Sequence, residues 1–335
     1  MKVIELSQGG GGAESQQLVR QLFYRYFKND ILLKSEDAAV LSLQGQTAFT
    51  TDSYTVSPLC FQGGNIGNLA VAGTLNDLAM MGAAPLYLSC AFMIEEGLPF
   101  STLEKVVKSM AEELKKTDAK IVCGDTKVVP QGAVDKLFIN TSGIGQIKTD
   151  AQAMPSAHQL QIGDAILVSG DIGRHGAVVM SARDNMNLHS DLKSDCDVLW
   201  PVVEALINKG LSVHALRDAT RGGLAAVLNE WAQTSQVCIE VEEDKIPISD
   251  AVQGLCELLG FEAYDFANEG TFLMSLPCSQ VEEALAVFQQ FECTQQAAMI
   301  GKVTEFQPGL VVLQTPWGSQ RVLELPKGEL LPRIC

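Results

Sequence analysis

Ile66-Gly-Asn-Leu-Ala-Val-Ala-Gly-Thr-Leu-Asn-Asp-Leu-Ala-Met-Met81, closed by Gly82, is the stretch from which the fold is read. Ile66, Leu69, Ala70 and Gly73 fall on one helical stripe and Gly82 is a stop signal, so the spacing predicts a helix over 66–81. Strand-like runs at 38–43 and 47–51 precede it, and runs at 121–123 and 137–144 follow. Between them, Ser101-Thr-Leu-Glu104 reads as a capping box opening a helix with Leu103, Val106, Val107, Met110 and Leu114 on its apolar face. The second half repeats the theme: strands at 165–169, 211–216, 237–242, 272–276 and 298–303, helices at 177–183, 198–208, 224–231, 251–259 and 279–288. Residues 310–314 and 321–325 flank Thr315-Pro-Trp-Gly-Ser319 as a hairpin. Helices mixed with several consecutive strands give an α/β chain of mixed α+β character. The polar, turn-rich stretch 147–161 divides it, so 1–150, 151–310 and a hairpin and tail at 311–335 are the expected units.

Composition narrows the chemistry. With 335 residues, 47% hydrophobic and 19% charged, the chain is long enough for two cored domains. A net charge of −16 argues against nucleic acid and anionic membrane as partners. Nine cysteines without a Cys-x-x-Cys pair read as reduced thiols rather than a disulfide framework or zinc site. No run approaches the ~20 apolar residues of a membrane span, and a cytoplasmic protein is expected.

Four aspartates stand at the ends of apolar elements in the first half: Asp37, Asp52, Asp77 and Asp125. Converging carboxylates repel unless they share a divalent cation, and Mg²⁺ usually brings phosphate ligands, so the set points to a nucleoside triphosphate. Neither a Walker A sequence nor a kinase motif set is present. Lys127 follows Asp125 by two residues, and Asn76 adjoins Asp77. The glycine run Gly9-Gly10-Gly11-Gly12 could turn backbone N–H groups toward a phosphate, or be only a terminal lead. Arg217-Asp-Ala-Thr-Arg221 is a strand-to-helix turn that favours an anion. Glu269, beside Gly270, is a general-base candidate, and His175 reads as catalytic or merely structural. The chain ends Pro332-Arg-Ile-Cys335, with Pro326, Gly328 and Pro332 favouring an extended, partly mobile tail that could carry its thiol into a pocket.

Taken together, 49–58, Gly63-Gly-Asn-Ile-Gly67, Gly73-Thr-Leu-Asn-Asp-Leu-Ala79, Gly124-Asp-Thr-Lys127, Arg217–Gly223, Asn268-Glu-Gly270 and Pro332-Arg-Ile-Cys335 resemble the HypE family, in order and over essentially the whole chain. These are the carbamoyl dehydratases of nickel–iron hydrogenase maturation. The resemblance implies a two-domain fold like that of aminoimidazole ribonucleotide synthetase, forming a homodimer through strands of the first domain. It implies ATP and Mg²⁺ as cofactors. Asp37, Asp52, Asp77 and Asp125 would take the metal; Asn76, Asp77, Asp125, Lys127, Gly9 and Gly10 would take the nucleotide. Cys335 would be the covalent carrier, Lys127 the cation beside the transferred phosphate, and Glu269 the base. Its partners would be the carbamoyltransferase HypF and the HypC–HypD iron scaffold. Gln8 precedes the first glycine where many relatives are expected to carry histidine. Two alternatives stay open: a small-molecule synthetase or kinase of the same superfamily, and a non-enzymatic carrier subunit.

Overall fold

The structure, a computed structural model, describes residues 3–148, 155–183, 191–327 and 333–335. The first half runs α1 (Ala13–Leu18), α2 (Tyr24–Phe27), β1 (Thr47–Tyr54), β2 (Cys60–Phe61), β3 (Gly64–Asn65), α3 (Ile66–Met80), β4 (Ala83–Glu95), α4 (Phe100–Leu114), β5 (Lys120–Val129) and β6 (Leu137–Ile147). The second runs β7 (Asp164–Val168), α5 (Arg174–Arg183), α6 (Trp200–Asn208), β8 (Ala215–Asp218), α7 (Gly223–Ser235), β9 (Cys238–Glu242), α8 (Asp250–Leu259), β10 (Phe272–Pro277), α9 (Val281–Phe288), β11 (Ala298–Thr304), β12 (Val311–Gln314) and β13 (Gln320–Val322).

Helix α3 is the expected helix, but it is not amphipathic. Every residue from Ile66 to Met80 except Asp77 is buried, so it is a central helix covered on all sides, with one carboxylate left in reach of solvent. Its N-terminus is closed by Asn65, whose Oδ1 accepts from Gly67 N at 2.8 Å and from the Ser109 hydroxyl of α4 at 2.7 Å. α4 buries the predicted stripe Leu103, Val106, Val107, Met110 and Leu114. Ser101 is not its cap: Pro99 precedes the first turn, and Glu104 instead accepts from Arg25 at 3.1 Å and Tyr26 at 3.3 Å.

A four-stranded sheet in the order β1-β6-β4-β5 lies against α3. Its strand β4, 13 residues long, is the longest of the described strands and was absent from the sequence-based expectation. Conversely, 38–43 forms no strand; Val40 is 85% exposed and no neighbouring strand takes up its backbone groups. Asp52 lies inside β1 rather than after it, and β5 runs on through Gly124-Asp125-Thr126-Lys127 instead of ending there. One face of β1 turns Thr50, Asp52 and Tyr54 toward α3, while Phe49, Thr51 and Ser53 on the other are exposed, Phe49 by 70%.

The second half holds a mixed seven-stranded sheet, β13-β12-β9-β11-β7-β10-β8, antiparallel except between β12 and β9. The predicted hairpin is β12 and β13. The strand expected at 211–216 starts later, at Ala215, and carries Asp218 at its end. One buried apolar cluster draws on both halves, joining Leu69 and Leu75 to Leu167, Leu199 and Phe272; another lies within the second half. Among the described residues no helix is long and apolar enough to cross a membrane.

Candidate active site

The two halves meet at Asn76. Its amide donates to the carbonyls of Asp197 (2.9 Å) and Glu269 (3.3 Å), and its Oδ1 accepts from Leu199 N at 2.8 Å. Lys116 adds bonds to Asp197 (2.5 Å) and Glu113 (2.6 Å). Asn76 thus holds the 195–199 segment and the 268–270 turn against α3, with its amide engaged by protein.

That turn is built around a buried carboxylate that the sequence reading missed. Asp195 accepts from Glu269 N at 3.1 Å, Gly270 N at 3.0 Å and the Thr271 hydroxyl at 3.0 Å. A side chain at position 270 would put its Cβ 1.8 Å from the Asp195 carbonyl oxygen, so only glycine lets the two backbones approach. Glu269 is 4% exposed, and its Oε1 has no hydrogen-bond partner among the described residues. Burial, then the charges of Asp195, Asp218 and Asp52, push its carboxyl well above the ordinary range; Arg221 pulls the other way.

Asp52 and Asp77 form a hydrogen-bonded carboxyl pair, and Thr50 donates to Asp77 at 2.6 Å. Burial and the Asp77 charge push Asp52 up to about 6. Asp218, at the end of β8, is pushed up to about 7 by burial, then by Asp77. Two or three crowded carboxylates of this kind are held at a cost that a hard cation would relieve, so the pair fits Mg²⁺, which takes one or two carboxylates and fills its other positions with water and phosphate.

The predicted four-aspartate set does not converge. Ser53, Asn140, Ala91 and Asp125 share one row across the sheet, and Asp52, Thr141, Cys90 and Gly124 the next. Asp52 therefore faces α3, whereas Asp125 projects from the opposite face of the outer strand three spacings away, about 14 Å. Asp125 instead lines a hollow of about 180 Å³ with Asp37, Phe23, Phe27, Cys90 and Cys123. It accepts from Thr126 N at 2.8 Å and pairs with Lys127 at 3.0 Å, both side chains exposed. Among the described residues no three Asp, Glu, His or Cys side chains are placed to hold a metal. Gly9 packs on β5 so closely that a Cβ there would sit 2.4 Å from Val128 N; Gly10 adjoins it and Gln8 caps the turn through Glu5 N at 3.0 Å. The glycine run is thus anchored beside Lys127 rather than trailing free.

The chain's own end enters the site. Of the tail, 328–332 lie outside the described residues, but Arg333, Ile334 and Cys335 are seated in the body of the molecule. Ile334 is 5% exposed, and its carbonyl meets His175 Nε2 at 2.8 Å. Thr55 N donates to the Cys335 carboxyl end at 2.8 Å. Burial, then the charge of Glu269, pushes the Cys335 thiol up to about 12, with Arg221 opposing and Asp52 adding. The thiol thus lies within electrostatic reach of Glu269, Asp52 and Arg221 at once. His175, weighed from sequence as catalytic or structural, is wholly buried and touches the tail; Asp218 stood in the Arg217–Arg221 turn read as favouring an anion, whereas Asp195 gave no signal of its own in the sequence.

The chain is similar to known proteins over its whole length. The AIR synthase related protein N-terminal domain matches residues 35–147, and the AIR synthase related protein C-terminal domain matches 161–312. Carbamoyl dehydratase HypE of Escherichia coli (strain K12) is 46% identical over 341 residues, covering 100% of both chains. That of Rhizobium leguminosarum bv. viciae is 41% identical, covering 99% of this chain and 95% of its own. A crystal structure of hydrogenase maturation protein HypE in complex with ATP superposes with a TM-score of 0.95 at 46% identity, covering 99% of each chain. A HypE–HypF complex matches with a TM-score of 0.81 at 43% identity, over 94% of this chain and 100% of that one.

Proposed function

The chain belongs to the HypE family of carbamoyl dehydratases, built on the AIR synthase related fold, and we propose that it carries its own substrate on Cys335 and dehydrates it there. The observation that carries this reading is the seated terminal cysteine, within electrostatic reach of a buried glutamate whose Oε1 has no hydrogen-bond partner among the described residues.

The substrate is a thiocarbamate on the Cys335 sulfur, and the product a thiocyanate that supplies cyanide to the iron of a nickel–iron hydrogenase. Its carbonyl oxygen takes the γ-phosphoryl group of ATP, so that oxygen leaves as phosphate; the two N–H protons leave as the C≡N bond forms. Glu269 removes one of these protons in the seated pose, and the departing phosphate carries away the other. The raised pKa of Glu269 makes it a strong base once ionised, and Arg221 favours the ionised form. Arg221 offsets phosphate charge on this side, whereas Lys127, Gly9 and Gly10 sit beside Asp125 on the edge strand and would reach the phosphates only across a dimer. Mg²⁺ would be held by Asp52 and Asp77, with Asp218 beside them, and supplies neutralisation of the phosphate charge when bound. ATP as the phosphoryl donor is supported by the HypE relative crystallised with it.

Asp37 and Asp125 lie on the far edge of the same sheet, so they join this group only if a second copy brings its sheet across. The exposed face with Phe49 supports such a homodimer through the unit 1–150. The seated thiol is a poor nucleophile, because burial keeps it protonated, so loading requires the tail to leave its seat. HypF as the loading partner is supported by the HypE–HypF complex of a relative. A HypC–HypD iron scaffold would then receive the cyanide, in the cytoplasm. Single-turnover dehydration of the carbamoylated chain tests the reading: Cys335→Ala should take up no carbamoyl group, and a free small molecule dehydrated by that variant would defeat it.

A further inference from the structure

Three donors from consecutive residues converge on one buried carboxylate. Glu269 N donates to Asp195 Oδ2 at 3.1 Å and to Oδ1 at 3.2 Å, and Gly270 N and the Thr271 hydroxyl each donate to Oδ2 at 3.0 Å. The Thr271 hydroxyl lies farther, 3.4 Å, from the Asp171 carbonyl. Asp195 and Thr271 are both buried. Arg174 is engaged by Asp171 at 3.0 Å, and no cation is paired with Asp195 among the described residues, so uncharged donors alone hold its charge.

A carboxylate buried without a cation is a costly way to close a turn, and a neutral acceptor could close one too. What the charge adds falls on Glu269: after burial, Asp195 is the strongest influence raising that carboxyl. The same turn is also tied to α3. Asn76, next to Asp77, donates to the Glu269 carbonyl at 3.3 Å and to the Asp197 carbonyl at 2.9 Å. At Gly270 the approach is so close that a Cβ would stand 1.8 Å from the Asp195 carbonyl oxygen and 3.1 Å from Asp197 N. Residues 195–197 and 269–271 are therefore packed as one unit against the helix that carries Asp77.

We propose that Asp195 is a positioning residue for the dehydration step: by gathering the donors of Glu269, Gly270 and Thr271 it fixes the backbone from which the Glu269 side chain reaches the amide borne on Cys335. Thr271 completes the clamp through its hydroxyl. The inference rests on the carrier reading with Glu269 as base, and it concerns neither the loading of Cys335 nor the binding of ATP. A clamp that only stabilised the fold would change the amount of folded chain and leave the rate of each carbamoylated molecule as it is.

The full chain is carbamoylated on Cys335 with a carbamoyltransferase and donor, and loss of water after addition of Mg²⁺–ATP is followed by intact mass, so that only loaded molecules are counted. Thr271→Val, nearly the same shape without the hydroxyl, should slow this single turnover by about tenfold or more. Its carbamoyl uptake and the ATP concentration for half-maximal rate should stay within about twofold of the parent, since the change acts on the step and not on binding. Thr271→Ser keeps the hydroxyl and should recover the rate to within about threefold of the parent. Asp195→Asn sets an amide nitrogen against the Glu269 N–H, donor facing donor, and should slow the step by ~10²-fold, as a misplaced reacting group does. Should Asp195→Asn fail to fold, the two Thr271 variants decide alone. If Thr271→Val and Thr271→Ser both match the parent, both fall alike, or lose rate only through a higher ATP requirement, the proposal is overturned while the carrier reading stands. A parent chain that takes up the carbamoyl group and never loses water would overturn the carrier reading and the proposal with it.

Discussion

Replacing Asp218 by asparagine should make the unliganded chain more stable at pH 8 and progressively less so, relative to the parent, toward pH 4. Asp218 is 8% exposed, and its carboxyl moves from an ordinary 3.8 to about 7, first through burial and then through Asp77. A carboxyl whose folded pKa is raised binds its proton more tightly in the folded chain. Its contribution is therefore fully favourable below 3.8 and is lost as pH rises toward 7. The span from 3.8 to about 7 corresponds to ~4 kcal/mol as a ceiling at about 1.4 kcal/mol per tenfold change, and water entry and relaxation reduce it. Asparagine has nearly the same shape and no charge, so it removes the penalty without opening a cavity. Urea unfolding of parent and Asp218→Asn at pH 5 and pH 8, without Mg²⁺ or ATP, measures the difference through the transition midpoint. The gain should be larger at pH 8, and the variant should lose part of its Mg²⁺–ATP-dependent stabilisation. A variant equally destabilised at both pH values would refute the picture of a strained, cation-seeking carboxylate cluster.

Other expectations follow from the same geometry. Glu269→Gln should slow single-turnover dehydration by about 10²–10⁴-fold while carbamoyl uptake on Cys335, read by intact mass, stays normal. Gly270→Ala should lower stability by ~2 kcal/mol or more, as overpacking does, and slow dehydration, because the Asp195 backbone must move; thermal melting and a dehydration assay report the two. Phe49→Asp should shift the chain toward the monomer in light scattering, since the charge enters the exposed face of the four-stranded sheet. Lys127→Ala should raise the ATP concentration needed for half-maximal dehydration more than it lowers turnover if Lys127 serves phosphate binding; turnover alone would fall if it serves transfer.

Much of this arrangement is legible residue by residue, while its assembly is not. Helix α3 announced itself through Gly82 and its apolar spacing, yet spacing could not say that it is buried on every side; that follows from the sheet, α4 and the second half packing around it. Strand β4 went unread because Ala83-Ala-Pro-Leu-Tyr-Leu is apolar without period and carries a proline, which fits a strand no better than a loop. The run 38–43 had the composition of a strand but no partner, and strands are made by pairing. Asp52, Asp77, Asp125, Glu269 and Cys335 stood out as single residues, but their grouping into Asp52–Asp77–Asp218 on one side and Asp37–Asp125 on the other depends on sheet register. The meeting of His175 with Ile334 joins positions 159 residues apart and leaves no local trace.

The most direct test of the account is the intact mass of the chain after incubation with a carbamoyltransferase and donor, and again after Mg²⁺–ATP is added, with Cys335→Ala alongside. The account predicts one carbamoyl increment on the parent only, mapped to Cys335, followed by loss of one water when ATP is supplied. An adduct that persists unchanged with ATP, or that forms equally on Cys335→Ala, would contradict it.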